Sequence, residues 1–273
     1  MGVHMISLQS QDMDIRLLVK CPCNVRRYPG DVTNLAASIK AVGVLQPLLV
    51  RPAPDSKHYE VVAGFRRWKA CELLGSRTIP AVVRELTDCQ ALTVSLTENV
   101  QQQTLDPIER AEGVRRLVDY FAQEMPRGEA LERVGKEIGK APPTLNEWLA
   151  LLRTTEAVQQ MVREKQVAPR VAARIATLPK ERQESVARAM VAESLTRDDA
   201  LRVVQIAQAQ PARPVEQVVA EVRDRVLEEV SVSISFPGGL YGALVQKTGE
   251  ERTGSIQETI RRACRAYTGY DAD

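Results

Sequence analysis

At 273 residues, 44% hydrophobic and 26% charged, the chain is long enough for two or three domains with cores of their own. It shows no run of ~18 apolar residues and no apolar leader, and its five scattered cysteines and two histidines assemble no zinc spacing; a reduced, cytoplasmic setting without membrane contact is expected. A net charge of +2 neither demands nor forbids nucleic acid, and with 4% aromatics any grip on it rests on charge and helices rather than stacked rings.

Residues 1–14 carry no readable signal and are taken as a disordered or expression-derived tail. The spacing predicts a short strand over 15–19, then a helix capped by Asp31 or Thr33 that carries Leu35, Ile39 and Val42 on one face and stops at Gly43. β-Branched, apolar runs predict strands over 47–51 and 59–63. Gly64 opens a helix through Trp68, Cys71 and Leu74 that Gly75 ends; a strand over 79–84 and a helix over 88–99 follow. Residues 15–104 thus read as a small α+β domain, in which Cys21 and Cys23, a lone C-x-C, are ordinary thiols beside a strand. From Asp106 the period is helical: Pro107 suits a first turn, and Ile108, Ala111, Val114, Leu117, Val118 and Phe121 keep a 3–4 spacing. Residues 105–207 read as an all-α domain, and 208–227, with Pro211 and Pro214 among Gln and Ala, as a linker.

The densest chemistry lies at Ala63, Gly64, Phe65, Arg66 and Arg67, where a strand runs into a glycine that opens a helix. Glycine lets the backbone approach a ligand, the helix start offers unpaired N–H groups to an anion, and two arginines add planar donors suited to phosphate. The same residues serve equally as a solvated helix start. A second cluster, Glu98, Asn99, Val100, Gln101 and Gln102, carries oxygen ligands of the kind magnesium takes beside a phosphate; by itself it is a polar junction between helices.

Taken in order, Gln46-Pro47-Leu48-Leu49-Val50-Arg51, Gly64-x-Arg66-Arg67-x-x-Ala70, Glu98-Asn99-x-Gln101 and Leu105-x-Pro107-x-Glu109-x-Ala111 resemble the N-terminal domain of ParB partition proteins, and the resemblance runs from about Ile15 to Gln205. It implies a sulfiredoxin-like fold that binds CTP with Mg2+ and closes as a clamp on DNA. Carried over residue by residue, it implies that Arg26, Gly64, Phe65, Arg66, Arg67, Glu98, Asn99 and Gln102 line the nucleotide site, with Glu98 and Asn99 serving the metal. Three positions depart from the family pattern: Asn24 stands for the Gln of Gln-Pro-Arg, Phe65 for the Glu of Gly-Glu-Arg-Arg, and Gln102 for the Arg of Glu-Asn-x-Gln-Arg. A lost arginine removes a charge-assisted contact of ~1.5–3 kcal/mol, which binding survives more readily than hydrolysis. The expectation is CTP binding with, at most, slow hydrolysis.

Residues 129–138, Gly139, Lys140 and 142–153 predict helix, tight turn, helix, with Gly135 small where the two would cross. Leu145, Trp148, Leu149 and Leu152 form the buried face of the second helix; Thr144 and Asn146 fall on the other side, near the end that meets base edges. A helical hairpin in a bundle has the same pattern. Lys and Arg outnumber Glu between Arg163 and Arg188, however, and the segment resembles the helix-turn-helix domain of ParB proteins. Lys140, Lys165, Arg170 and Arg174 are the expected phosphate contacts and Thr144 and Asn146 the base readers.

Residues 230–236 alternate Val, Ser, Val, Ser, Ile, Ser, Phe, a half-buried strand, and with the helical stretches after it 228–273 resembles a ribbon-helix-helix tail. One strand needs a partner's, so a homodimer is expected. The full expectation is an α+β domain, an all-α helix-turn-helix domain and a β-α-α tail. It describes a nucleoid- or plasmid-associated dimer that binds a palindromic centromere-like site in double-stranded DNA, is gated by CTP and works with a ParA-type ATPase in segregation. A nucleoid-occlusion or transcriptional regulator of the same build is the alternative.

Overall fold

The computed structural model describes residues 10–101 and 105–229, with side chains described to Asp224. The chain divides into two compact units, Met1–Asp224 and Arg225–Asp273. Gln102 and the expected tail strand over 230–236 lie outside the described residues.

Strands β1 (Gln11–Asp14), β2 (Leu18–Lys20), β3 (Leu48–Pro52), β4 (Tyr59–Ala63) and β5 (Thr78–Val83) form one mixed sheet in the order β1-β5-β3-β4-β2. β4 pairs antiparallel with β3 and parallel with β2; β5 pairs parallel with β3 and antiparallel with β1. Adjacent residues of β4 serve opposite faces. Val61 packs with Leu48, Val50, Ile79 and Ala81 against Phe65, Trp68 and Cys71 of α2 (Phe65–Leu73), while Val62 joins the core built on α3 (Asp88–Gln101) and α4 (Pro107–Phe121). A sheet covered on both sides carries apolar residues on both faces of a strand, as 48–50 and 61–63 do, which explains why β3 and β4 are legible without alternation. Helix α1 (Thr33–Val42) ends at Gly43, whose φ of 77° suits glycine.

After α3 come, among the described residues, α4, α5 (Arg127–Ile138), α6 (Pro142–Leu151), α7 (Glu156–Arg163), α8 (Pro169–Ile175), α9 (Lys180–Ala192), α10 (Arg197–Ala209) and α11 (Val215–Glu229). Asp106 caps α4 by accepting from the Ile108 and Glu109 N–H groups, and Pro107 sits in the first turn, where its missing N–H costs nothing. One continuous core runs from Cys21 to Val222, so the sheet and the helices are not separated by a break near residue 104.

Three expectations are corrected. The tail over 1–14 contains β1, whose polar residues become a strand only by pairing with β5. The strand over 15–19 is a 3-10 turn, Ile15–Leu17, followed by β2, because Asp14 accepts from the Arg16 N–H and curls the chain. The linker over 208–227 is helical from Val215, with Val215, Val218, Val219 and Val222 buried in the shared core; Arg182 fastens the short connection before it by donating to the carbonyls of Ala207, Gln210, Pro211 and Arg213.

The C-x-C thiols follow β2 and are both buried, and burial pushes Cys21 up to about 12 and Cys23 above its ordinary value. Beside them lies a polar knot that the sequence reading missed. Arg51 and Glu60 face each other across β3 and β4, both buried, with Arg51 Nε 2.7 Å from Glu60 Oε2; Arg51 also donates to the Leu86 carbonyl and reaches Asp88 at 2.6 Å.

Candidate phosphate cleft and nucleic-acid interface

Gly64 joins β4 to α2 with φ 92°, a left-handed turn that starts the helix without any side-chain cap. A Cβ there would stand 2.6 Å from Leu48 Cδ2 and 3.1 Å from Arg67 Nη2, so only glycine fits the close approach. A cavity of about 290 Å³ opens at this helix start, lined by Asn24, Arg26, Gly64, Arg66, Arg67 and Glu98 among others. Arg26, Gly64, Phe65, Arg66, Arg67, Glu98 and Asn99 are therefore brought together as expected.

Each arginine is held by a named acceptor. Arg26 is 6% exposed and donates from Nη2 to Asn99 Oδ1 at 2.9 Å; Asn99 in turn donates to the Ser95 carbonyl at 2.7 Å. Arg66 donates to the carbonyls of Pro29 and Asp31, and Arg67 to those of Gln46 and Pro47, with Glu98 Oε1 at 3.3 Å from Arg67 Nη2. Neutral acceptors orient a guanidinium without cancelling its charge. Three guanidiniums thus face one lining carboxylate among the described residues, and the surplus suits an anion. Burial, then the nearby Arg66 charge, lowers the pKa of Arg26, so that buried cation is disfavoured where it stands.

Asn99 accepts from Arg26 through its amide oxygen and donates to the Ser95 carbonyl through its amide nitrogen, which braces the arginine beside Glu98. Phe65 lines the cavity, but the residue is 6% exposed and its ring meets Trp68 edge to face at 5.8 Å. Its place in the cleft is its position in the first turn of α2.

The departure at Asn24 is accommodated. Its Nδ2 donates to the carbonyls of Val61 and Val62, and its Oδ1 accepts from the Arg26 N–H at 2.9 Å, which ties the arginine-bearing loop to β4. Sequence reading missed Ser95, Gln46, Pro29 and Gly30. All but Gly30 act as acceptors through backbone or hydroxyl oxygen, which residue type hardly signals.

Helices α5 and α6 enclose a turn of Gly139, Lys140 and Ala141; Gly139 has φ 68° and the Lys140 N–H returns to the Gly135 carbonyl at 2.9 Å. Gly135 is small for the turn rather than for a helix crossing: a Cβ there would meet the Lys140 carbonyl oxygen at 2.6 Å. Gly135→Ala should cost about 1–3 kcal/mol, because backbone cannot move aside as a side chain can; chemical denaturation measures it. The buried face of α6 is Leu145, Trp148, Ala150 and Leu151, with Leu149 and Leu152 half-buried, since α4, α5 and α8 all pack on it. Asn146 is exposed and Thr144 partly so. Lys140, Lys165, Arg170 and Arg174 are exposed, and none makes an ion pair among the described residues. Lys165 ends α7 in the left-handed region, φ 61°.

Residues 6–100 match the family described as the ParB N-terminal domain, and residues 103–209 the ParB HTH domain. The probable chromosome-partitioning protein ParB of Neisseria meningitidis Z2491 is 40% identical over 146 residues, 54% of this chain and 49% of that protein. The protein of the same description from Pseudomonas putida KT2440 is 32% identical over 219 residues, 78% of this chain and 73% of its own length. The crystal structure of C-terminally truncated ParB from Caulobacter crescentus, complexed to the centromeric parS site, superposes with a TM-score of 0.52 at 29% identity, covering 72% of this chain and all of that one. The chain spans about half the length of the first relatives it matches.

Proposed function

This chain belongs to the ParB family, and on that footing we propose that it binds a palindromic, centromere-like DNA site and acts as a CTP-gated clamp in plasmid or chromosome segregation. The observation that carries the nucleotide half is the convergence of Arg26, Arg66 and Arg67 on the uncapped start of α2, against Glu98 alone. Such a site takes a polyphosphate: backbone N–H groups and forked donors meet its oxygens, and the charge surplus offsets its own.

Magnesium fits on restricted terms. Among the described residues no three carboxylate, histidine or cysteine groups converge, so Glu98 and the Asn99 amide oxygen, which now accepts from Arg26, would be its protein ligands and the remaining oxygens would be the triphosphate's and water's. The ion would supply charge neutralisation along the phosphates. Hydrolysis is slow at most: Glu98, the lining carboxylate, is engaged with Arg67, and Phe65 offers no base. Titration calorimetry with CTP, ATP and GTP plus magnesium tests the site. Heat with CTP is expected, and no heat with any of the three removes the nucleotide from this account.

For the DNA half, Thr144 and Asn146 at the start of α6 would read base edges, while Lys140, Lys165, Arg170 and Arg174 hold phosphates beside them. Arg170→Ala should weaken binding to a parS duplex and to a scrambled duplex alike, and flatten the slope of log K against log salt by ~0.9. An isotherm unmoved at several salt concentrations takes Arg170 out of the interface. Dimerisation through residues 228–273 and recruitment of a ParA-type ATPase complete the proposal. Crosslinking the N-terminal domains on DNA, with and without CTP, tests closure.

A further inference from the structure

Arg66 is gripped end-on by one turn. Its Nη1 donates to the Pro29 carbonyl at 2.6 Å and its Nη2 to the Asp31 carbonyl at 2.7 Å. The residue between them, Gly30, has φ 64°, and a Cβ on it would stand 3.1 Å from Arg66 Nη1. Glycine is needed there twice, for the backbone sign and for the room.

The turn is itself fixed on both sides. Asp31 Oδ1 accepts from the Thr33 N–H at 2.9 Å and the Thr33 hydroxyl at 2.7 Å at the start of α1. Upstream, the Arg27 N–H donates to Glu109 Oε1 at 2.8 Å and the Arg27 side chain pairs with Glu112 at 2.5 Å, both on α4. Arg66 lines both the cavity at the start of α2 and a neighbouring one of about 570 Å³. Its Nε edge makes no hydrogen bond among the described residues.

We propose that the turn of Pro29, Gly30 and Asp31 is a positioning device for the ligand's phosphate, with Gly30 as its positioning residue. A guanidinium has five N–H donors in one plane. Two carbonyls on the terminal amines fix that plane, suppress the rotamers of a long side chain and leave the Nε edge for a second, bidentate partner. Because the carbonyls are neutral, the full positive charge is kept for that partner. A carboxylate in their place would hold the arginine as firmly and neutralise it.

This rests on the nucleotide reading above, and a double-mutant cycle on the full chain separates the two. CTP affinity, measured by calorimetry with magnesium, is expected to fall about tenfold in Gly30→Ala and in Gly30→Asn. Asparagine tolerates the left-handed backbone better than alanine, so a loss in both traces to the Cβ contact rather than to strain. Melting without nucleotide confirms that each variant is folded, and Gly30→Asn stands in if the alanine variant is not. Arg66→Lys lowers affinity by itself, since an ammonium has no planar fork to rest on both carbonyls and present a bidentate edge to phosphate. Adding Gly30→Asn to it should then change nothing further, because the turn has no fork left to aim. Additive losses, or unchanged affinity in folded Gly30 variants, overturn the positioning role while leaving nucleotide binding intact. If the unaltered chain takes no CTP, both readings fall together.

Discussion

Arg51→Ala should destabilise the fold by about 3–5 kcal/mol, read as a lower denaturation midpoint at unchanged slope. The cost comes from what alanine leaves behind rather than from what it removes. Arg51 and Glu60 are 8% and 5% exposed and directly paired across β3 and β4. Without the guanidinium, Glu60 is a buried carboxylate without its cation and the Leu86 carbonyl loses its donor. Burial works against the charge on Arg51, yet Glu60 and Asp88 more than offset it and raise its pKa. The two acids are unequal. Asp88 has a side chain 79% exposed, so Asp88→Ala should cost under ~1 kcal/mol, as solvent-screened pairs do. Arg51→Met with Glu60→Leu should recover most of the loss, since replacing both members of a buried pair by packed apolar groups is often neutral. A double variant as unstable as Arg51→Ala would show that the knot contributes more than pair-breaking explains.

The same knot marks the limit of what was legible in the residues. Strand β4 and the start of α2 are readable because apolar, β-branched residues run into Gly64, a purely local signal. The Arg51–Glu60 pair is not: the two are nine apart and meet only once β3 and β4 take their register. β1 is illegible for a related reason, since Gln11, Asp12 and Asp14 have no strand preference apart from their pairing with β5. For α11 the signal was present but outvoted. Val215, Val218, Val219 and Val222 keep helical spacing, while Pro211 and Pro214 suggested a linker, although proline just before a helix is where it is best tolerated. In the cleft, the arginines are legible as donors from their types and place. What holds them is not, because the carbonyls of Pro29, Asp31, Gln46 and Pro47 would read the same in any sequence.

Gly64→Ala should lower CTP affinity by about thirty- to a hundredfold while leaving binding to a parS duplex, without nucleotide, within about threefold. Three effects act together at this position. The φ of 92° is costly for any residue with a Cβ, about 1–2 kcal/mol, so the helix start would rotate toward an ordinary conformation. That rotation re-aims the first N–H groups of α2, which are positioned for an anion only in the present turn. The added methyl would also stand 3.1 Å from Arg67 Nη2, pressing the guanidinium away from its two carbonyls and from Glu98, and 2.6 Å from Leu48 Cδ2. Leu48 yields by a rotamer change; a pinned guanidinium yields by leaving its place. The duplex should be nearly indifferent because Lys140 lies in the turn between α5 and α6 and Arg170 and Arg174 on α8, whereas α2 packs on the other face of the sheet and β4 enters the shared core only through Val62. Calorimetry with CTP and fluorescence anisotropy with labelled duplex separate the two sites in one preparation. Equal losses in both would mean that Gly64 supports the whole unit, and retained CTP affinity would mean that the phosphates bind elsewhere than at the start of α2.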